Sequence, residues 1–126
     1  MTILVADDNF PSRELMRELL EAGGHFVVEA ATGREALDLI HSNPPELVFL
    51  DLQMPVLDGF SVIRELRSDF RFRSLHVVAV TASAMLGDRE RAIAAGFDSY
   101  IAKPINLGEV RKQVELLSSS DARRGE

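Results

Sequence analysis

Five polar side chains stand where the short apolar runs of this sequence stop. Asp7 and Asp8 follow Ile3-Leu4-Val5-Ala6, and Asp51 follows Leu47-Val48-Phe49-Leu50. Thr81 follows Val77-Val78-Ala79-Val80, and Lys103 follows Ser99-Tyr100-Ile101-Ala102. Three carboxylates in a small space repel one another unless positive charge sits among them. Hard oxygen donors without cysteine or a neighbouring histidine suit Mg2+, which keeps several waters and takes few protein ligands. Lys103 adds a point charge for a phosphoryl oxygen and Thr81 a hydroxyl donor. Such a set performs phosphoryl transfer by positioning and charge neutralisation, with one carboxylate able to act as nucleophile.

These residues meet only if the runs that precede them are parallel strands. The runs lack period-2 alternation and are rich in β-branched residues, as strands covered on both faces are. Phe26–Ala30 and Ser99–Ala102 are less apolar and read as outer strands. Between the strands lie helical patterns. Ser12–Ala22 carries Leu15, Met16, Leu19 and Leu20, with Pro11 in its first turn and Gly23-Gly24 as its stop. Thr32 and Glu35 form a capping box ahead of Ala36, Leu37 and Ile40. Gly59–Phe70 carries Phe60, Ile63 and Leu66, and Ala84–Ala95 ends at Gly96. Asn106 and Glu109 form a second capping box ahead of Val110, Val114 and Leu117. The pattern is (βα) five times, hence a right-handed, doubly wound α/β sandwich of three layers. In an open parallel sheet ligands bind at the carboxyl ends of the strands, where the five residues stand.

Composition bounds the alternatives. The 126 residues fit one domain, and 46% apolar content excludes a disordered chain. The absence of cysteine excludes disulfide scaffolds, thiolate metal sites and cysteine nucleophiles. No apolar run approaches the roughly 20 residues of a membrane span, and the N-terminus lacks a signal-like stretch, so a cytoplasmic protein is the expectation. Residues 1–63 hold 11 acidic and 3 basic side chains; residues 64–126 hold 9 and 11. The net charge of −6 argues weakly against direct nucleic-acid binding.

At the strand ends the sequence resembles the receiver domain of two-component response regulators. The matching stretches are Ile3–Asn9, Leu50–Gly59 (LDLQMPVLDG), Val80-Thr81-Ala82 and Tyr100–Pro104 (YIAKP). The resemblance implies a flavodoxin-like sheet of order 2-1-3-4-5, with the domain over residues 1–117 and residues 118–126 as a flexible tail or linker stub. It implies that Asp51 accepts a phosphoryl group from a phosphohistidine on a histidine kinase or histidine phosphotransfer protein. Mg2+ would be held by Asp8, by Asp7 directly or through water, by Asp51 and by the backbone carbonyl of Gln53. Lys103 would pair with the acceptor and then with its phosphoryl group. Thr81 would be the switch hydroxyl, and Tyr100 the aromatic whose rotamer follows it. Pro104 is a cis-peptide candidate. The face of the fourth helix, fifth strand and fifth helix would carry the output to a downstream protein, as a monomer or a phosphorylation-dependent dimer.

Other readings remain beside this one. The chain is either a regulator without its own output domain or the receiver of a longer response regulator or hybrid kinase. A Mg2+-dependent aspartyl-phosphate phosphatase would place a second acid two residues after its nucleophile, where this chain has Gln53. A pseudo-receiver would lack part of the Asp8, Asp51, Thr81 and Lys103 set. Gln53 and Ser83 flank the path of hydrolytic water and are uncharged, so they leave the phosphoryl lifetime open. Phe10-Pro11, Ala84 and Met85 read as local packing or partner contacts. The three histidines read as structural, and Arg64, Arg67 and Arg71 as a solvated helix face.

Overall fold

The apolar runs at 3–6, 47–50 and 77–80 become strands because both of their faces are covered. A computed structural model describes residues 1–82 and 85–124, without the side chains of 119–124. Strands and helices alternate as β1 (Thr2–Ala6), α1 (Phe10–Ala22), β2 (Phe26–Ala30), α2 (Gly33–Ser42), β3 (Leu47–Asp51) and α3 (Gly59–Ser68). They continue as β4 (His76–Thr81), α4 (Asp88–Ala95), β5 (Ser99–Ala102) and α5 (Leu107–Arg124). All neighbouring strands are parallel, in the order β2-β1-β3-β4-β5. Ile3, Val5, Leu47, Phe49, Val78 and Val80 point to the layer of α1 and α5. Leu4, Ala6, Val48, Leu50, Val77 and Ala79 point to the layer of α2, α3 and α4. The doubly wound, flavodoxin-like sandwich is therefore as expected, with β2 and β5 at the edges.

Helix starts follow their caps. Side-chain oxygens of Asn9, Thr32, Asp58 and Asn106 accept the amides of Ser12, Glu35, Ser61 and Glu109 at 2.9, 3.1, 2.8 and 3.2 Å. Each satisfies an amide that a helix N-terminus otherwise leaves unpaired, worth about 1 kcal/mol. Three boundaries differ from expectation. The Asn9 cap starts α1 at Phe10, two residues ahead of Ser12. After Ser68 the Asp69 carboxylate accepts the Arg71 amide and turns Phe70–Phe72 into a 3-10 turn, which ends α3 early. Gly87 sits in the left-handed region at φ 90°, so α4 begins at Asp88 instead of Ala84, which lies outside the described residues. At the other end α5 continues as helix past Leu117 to Arg124, while residues 125–126 lie outside the description.

Arg67 corrects the reading of a solvated arginine face. Its guanidinium donates to the carbonyls of Gly96, Phe72 and Leu75 at 2.8 Å each and to Asp98 Oδ2 at 2.9 Å. The same Asp98 oxygen accepts the Val77 amide at 2.7 Å. Arg67 thus ties the end of α3 to the entry of β4 and the turn before β5. Arg71 lies outside α3 and pairs with Asp69.

Candidate functional site

Register brings the strand ends level. Ala6 pairs with Leu50, Asp51 with Val80, and Thr81 with Ala102, so Asp7 and Lys103, next after β1 and β5, and Asp51 and Thr81, last in β3 and β4, open onto one edge. Asp7 is held there by backbone and side chain together. Its amide donates to Ala30 O at 3.0 Å, and its carbonyl accepts Arg13 Nη1 at 2.7 Å. Its Oδ1 accepts the Asn9 amide at 2.9 Å. Asp51 repeats the last arrangement, with Oδ1 accepting the Gln53 amide at 2.9 Å. In both residues this leaves Oδ2 for Lys103, whose Nζ lies 2.9 Å from Asp7 Oδ2 and 3.1 Å from Asp51 Oδ2.

Asp7 and Asp51 are each 4% exposed, whereas Asp8 is open to solvent. The three carboxylates bring one oxygen each to within 4.8 Å of one another. Burial pushes the Asp51 carboxyl up; the Gln53 amide opposes it, Asp7 adds to it, and Lys103 opposes it, with the balance at about 6. Burial alone would lower the Lys103 ammonium, but its two carboxylate partners outweigh burial and raise it. One ammonium against three carboxylates leaves the fully ionised cluster short of positive charge. The all-oxygen donor set and its unbalanced charge fit a divalent hard cation.

The remaining residues lie around this cluster. Lys103 directly follows β5 and precedes a cis bond to Pro104, and its amide donates to Thr81 O at 2.7 Å. Thr81, 2% exposed, ends β4. Beside it a cavity of about 260 Å3 opens between α3 and α4, lined by Gln53, Phe60, Thr81, Met85, Asp88 and Arg91. Tyr100 lies on β5 against the α3 and α4 layer, its hydroxyl pKa raised by burial and then by Asp88 and Glu90. Ser83 lies outside the described residues. The histidines serve elsewhere: His25 beside the Met1 amine, His41 against Phe72, His76 against Gln113. Phe10 is exposed, with the Arg13 guanidinium over its ring.

Arg13 is the residue that sequence reading passed over. It is fixed to Glu29 at 3.0 Å while its Nη1 braces the Asp7 carbonyl. Only the pairing of β1 with β2 brings Glu29 within reach, and that pairing has no local signal.

The model of the response regulator receiver domain family matches residues 3–115. The chain belongs to this family. The polar-differentiation response regulator DivK of Brucella ovis is 39% identical over 106 residues, covering 84% of this chain and 86% of that relative. The receiver domain of the Francisella response regulator 1452 superposes with a TM-score of 0.87 at 28% identity, over 95% of this chain and 98% of that one. The receiver domain of a sensor histidine kinase from Pseudomonas aeruginosa PAO1, solved with a magnesium ion coordinated in its active-site cleft, matches at 31% identity and TM-score 0.84, covering 92% and 95%. The chain is thus a phosphoacceptor signalling domain of the two-component type. Receiver domains work with histidine kinases or phosphotransfer proteins and with downstream targets. Among the described residues no helix is long and apolar enough to cross a membrane.

Proposed function

We propose that Asp51 is the phosphoacceptor, and that Asp7, Asp8, Asp51 and the Gln53 carbonyl hold Mg2+ for the transfer. The observation that supports it best is the Lys103 ammonium shared between Asp7 and Asp51 at a buried strand edge. An Asp51 carboxylate oxygen attacks the phosphorus of a phosphohistidine; the P–O bond forms as the P–N bond breaks, and the imidazole leaves with a proton from solvent. Bound Mg2+ would neutralise charge on the phosphoryl oxygens in transfer. Lys103 then exchanges an Asp51 oxygen for a phosphoryl oxygen while keeping Asp7. The Thr81 hydroxyl turns toward the phosphoryl group, and Tyr100 moves into the space it leaves. This biases the face of α4, β5 and α5 between two arrangements, a population shift that a downstream protein or a second copy reads.

The phosphoryl group is passed onward or lost to water; Gln53 and Ser83 bring no charge to steer the nucleophile and leave its lifetime open. The likeness to the response regulator DivK over 86% of its length supports a regulatory role for this chain. Incubation with Mg2+ and acetyl phosphate followed by intact-mass measurement tests the acceptor. One phosphoryl group is expected on the parent, and none on Asp51→Asn or after prior EDTA. An unchanged mass where a control receiver is modified would overturn the assignment.

A further inference from the structure

Gly33 opens α2 directly under the loop that follows Asp51. It is buried, and a Cβ built on it would fall onto the Leu57 carbonyl oxygen, with the Leu57 carbonyl carbon at 2.8 Å and Val62 Cγ2 at 2.9 Å. Two of those three atoms are backbone and have no rotamer through which to yield. Gly33 is not among the glycines with positive φ, so space and not backbone angle demands glycine here. Propensity argues the other way, since alanine is the better helix former.

The loop pressed on Gly33 spans residues 52–58 and contains Gln53. Its ends are pinned: the Leu52 amide donates to Val80 O at 3.0 Å, and the Leu52 carbonyl accepts the Gly59 amide at 3.1 Å. Gly59 is crowded in the same way, since a Cβ there would lie 2.6 Å from Asp51 O. Between the pins, the Leu57 amide donates to Pro55 O at 2.7 Å and closes a one-residue turn on Val56, at φ 70°. A β-branched residue rarely adopts that angle, and such turns persist only where their surroundings over-determine them. Val56 is 80% exposed, so its own side chain supplies little of that support. The Leu57 peptide, seated on the bare backbone of Gly33, supplies it from α2.

We propose that Gly33 is a positioning residue for the acceptor loop: by lacking a Cβ it seats the Leu57 carbonyl, and so sets where Gln53 and Asp51 stand relative to Asp7 and Asp8. The metal part of this inference rests on the function proposed above. Mg2+ demands near-octahedral geometry at short distances, so a loop displaced by part of an ångström loses affinity for it.

The test compares Gly33→Ala with Ala36→Gly, which weakens the same helix without adding an atom under the loop. In metal-free protein, Gly33→Ala is expected to shift the amide NMR signals of Gln53, Leu57 and Gly59, and Ala36→Gly to leave them in place. By calorimetry with Mg2+ alone, Gly33→Ala should raise Kd at least tenfold, with a comparable fall in the rate of modification by acetyl phosphate. Adding Val56→Gly frees the turn to move off the new methyl, and should recover part of both losses. The inference is overturned if Gly33→Ala lowers thermal stability alone, with loop amides and Kd as in the parent. It is also overturned if Ala36→Gly at equal melting temperature loses as much affinity. A parent that binds no Mg2+ would refute the metal assignment, and the amide shifts would then decide the positioning by themselves.

Discussion

Replacing Asp51 by asparagine should stabilise the metal-free protein, although it abolishes the acceptor. Burial and the adjacent Asp7 lift the Asp51 carboxyl from 3.8 to about 6. Between those two values the native state holds a proton that the unfolded chain has released, so stability falls as pH rises through the window. Once Asp51 is fully ionised the loss amounts to about 3 kcal/mol. Asparagine removes that loss but takes one partner from Lys103, which keeps Asp7 at 2.9 Å. Water at the open edge of the site weakens the effect further, leaving a gain of about 1–2 kcal/mol at pH 8. Urea unfolding in EDTA should therefore show the Asp51→Asn midpoint higher by about 0.5–1 M, at an m-value of about 2 kcal/mol/M. The gap should shrink from pH 6 downward and close below about pH 4. Saturating Mg2+ should narrow or reverse it, because the ion stabilises the parent more than the variant. An equal or lower midpoint for the variant in EDTA at pH 8, or a gap independent of pH, would contradict a raised Asp51 carboxyl.

Lys103→Met should cost the metal-free protein about 1–3 kcal/mol by leaving two buried carboxylates without their cation, and Mg2+ should restore part of it; urea unfolding with and without the ion measures both. Mg2+ affinity should fall by up to tenfold per pH unit below about 6, because the ion must displace the Asp51 proton. Calorimetry in buffers of different ionisation enthalpy reads that proton directly. Arg67→Ala should lower stability by about 2–4 kcal/mol through the unpaired carbonyls and Asp98, while folded protein still gains one phosphoryl group from acetyl phosphate by intact mass.

The strands and the residues at their ends were legible because both depend on local pattern. A continuous run such as Leu47–Leu50 has one use in a small domain, a strand covered on both faces, and the residue after it must open at the strand's carboxyl end. Strand order was legible only through the family resemblance, since nothing in the spacing of the runs says that β1 lies between β2 and β3. What stayed hidden depends on groups distant in sequence. Arg67 reads as one of several surface arginines until the carbonyls of Phe72, Leu75 and Gly96 converge on it. Arg13 becomes part of the site only when Glu29 arrives beside it. Gly33 reads as a poor helix former at a first position until Leu57 lies on it. The late start of α4 had a local signal in Gly87, but the alanines ahead of it carry the stronger helix propensity.

An aspartate at a strand end invites a choice between a turn-forming residue and a chemical one, and this site shows that the choice is false. Asp7 and Asp51 each use Oδ1 to accept the amide two residues on, which is the ordinary work of a turn aspartate. That bond restricts the rotation of the carboxylate plane, and so directs Oδ2 of both residues at the same Lys103 ammonium. A free carboxylate would lose rotamer entropy on joining the cluster; these two have lost it already in closing their loops. Pre-orientation of this kind lets two anions be held side by side in a nearly buried position, with one proton or one cation deciding their balance. The −8 charge of the first half of the chain is mostly solvated surface, but these few oxygens are where a change of charge is felt by the fold.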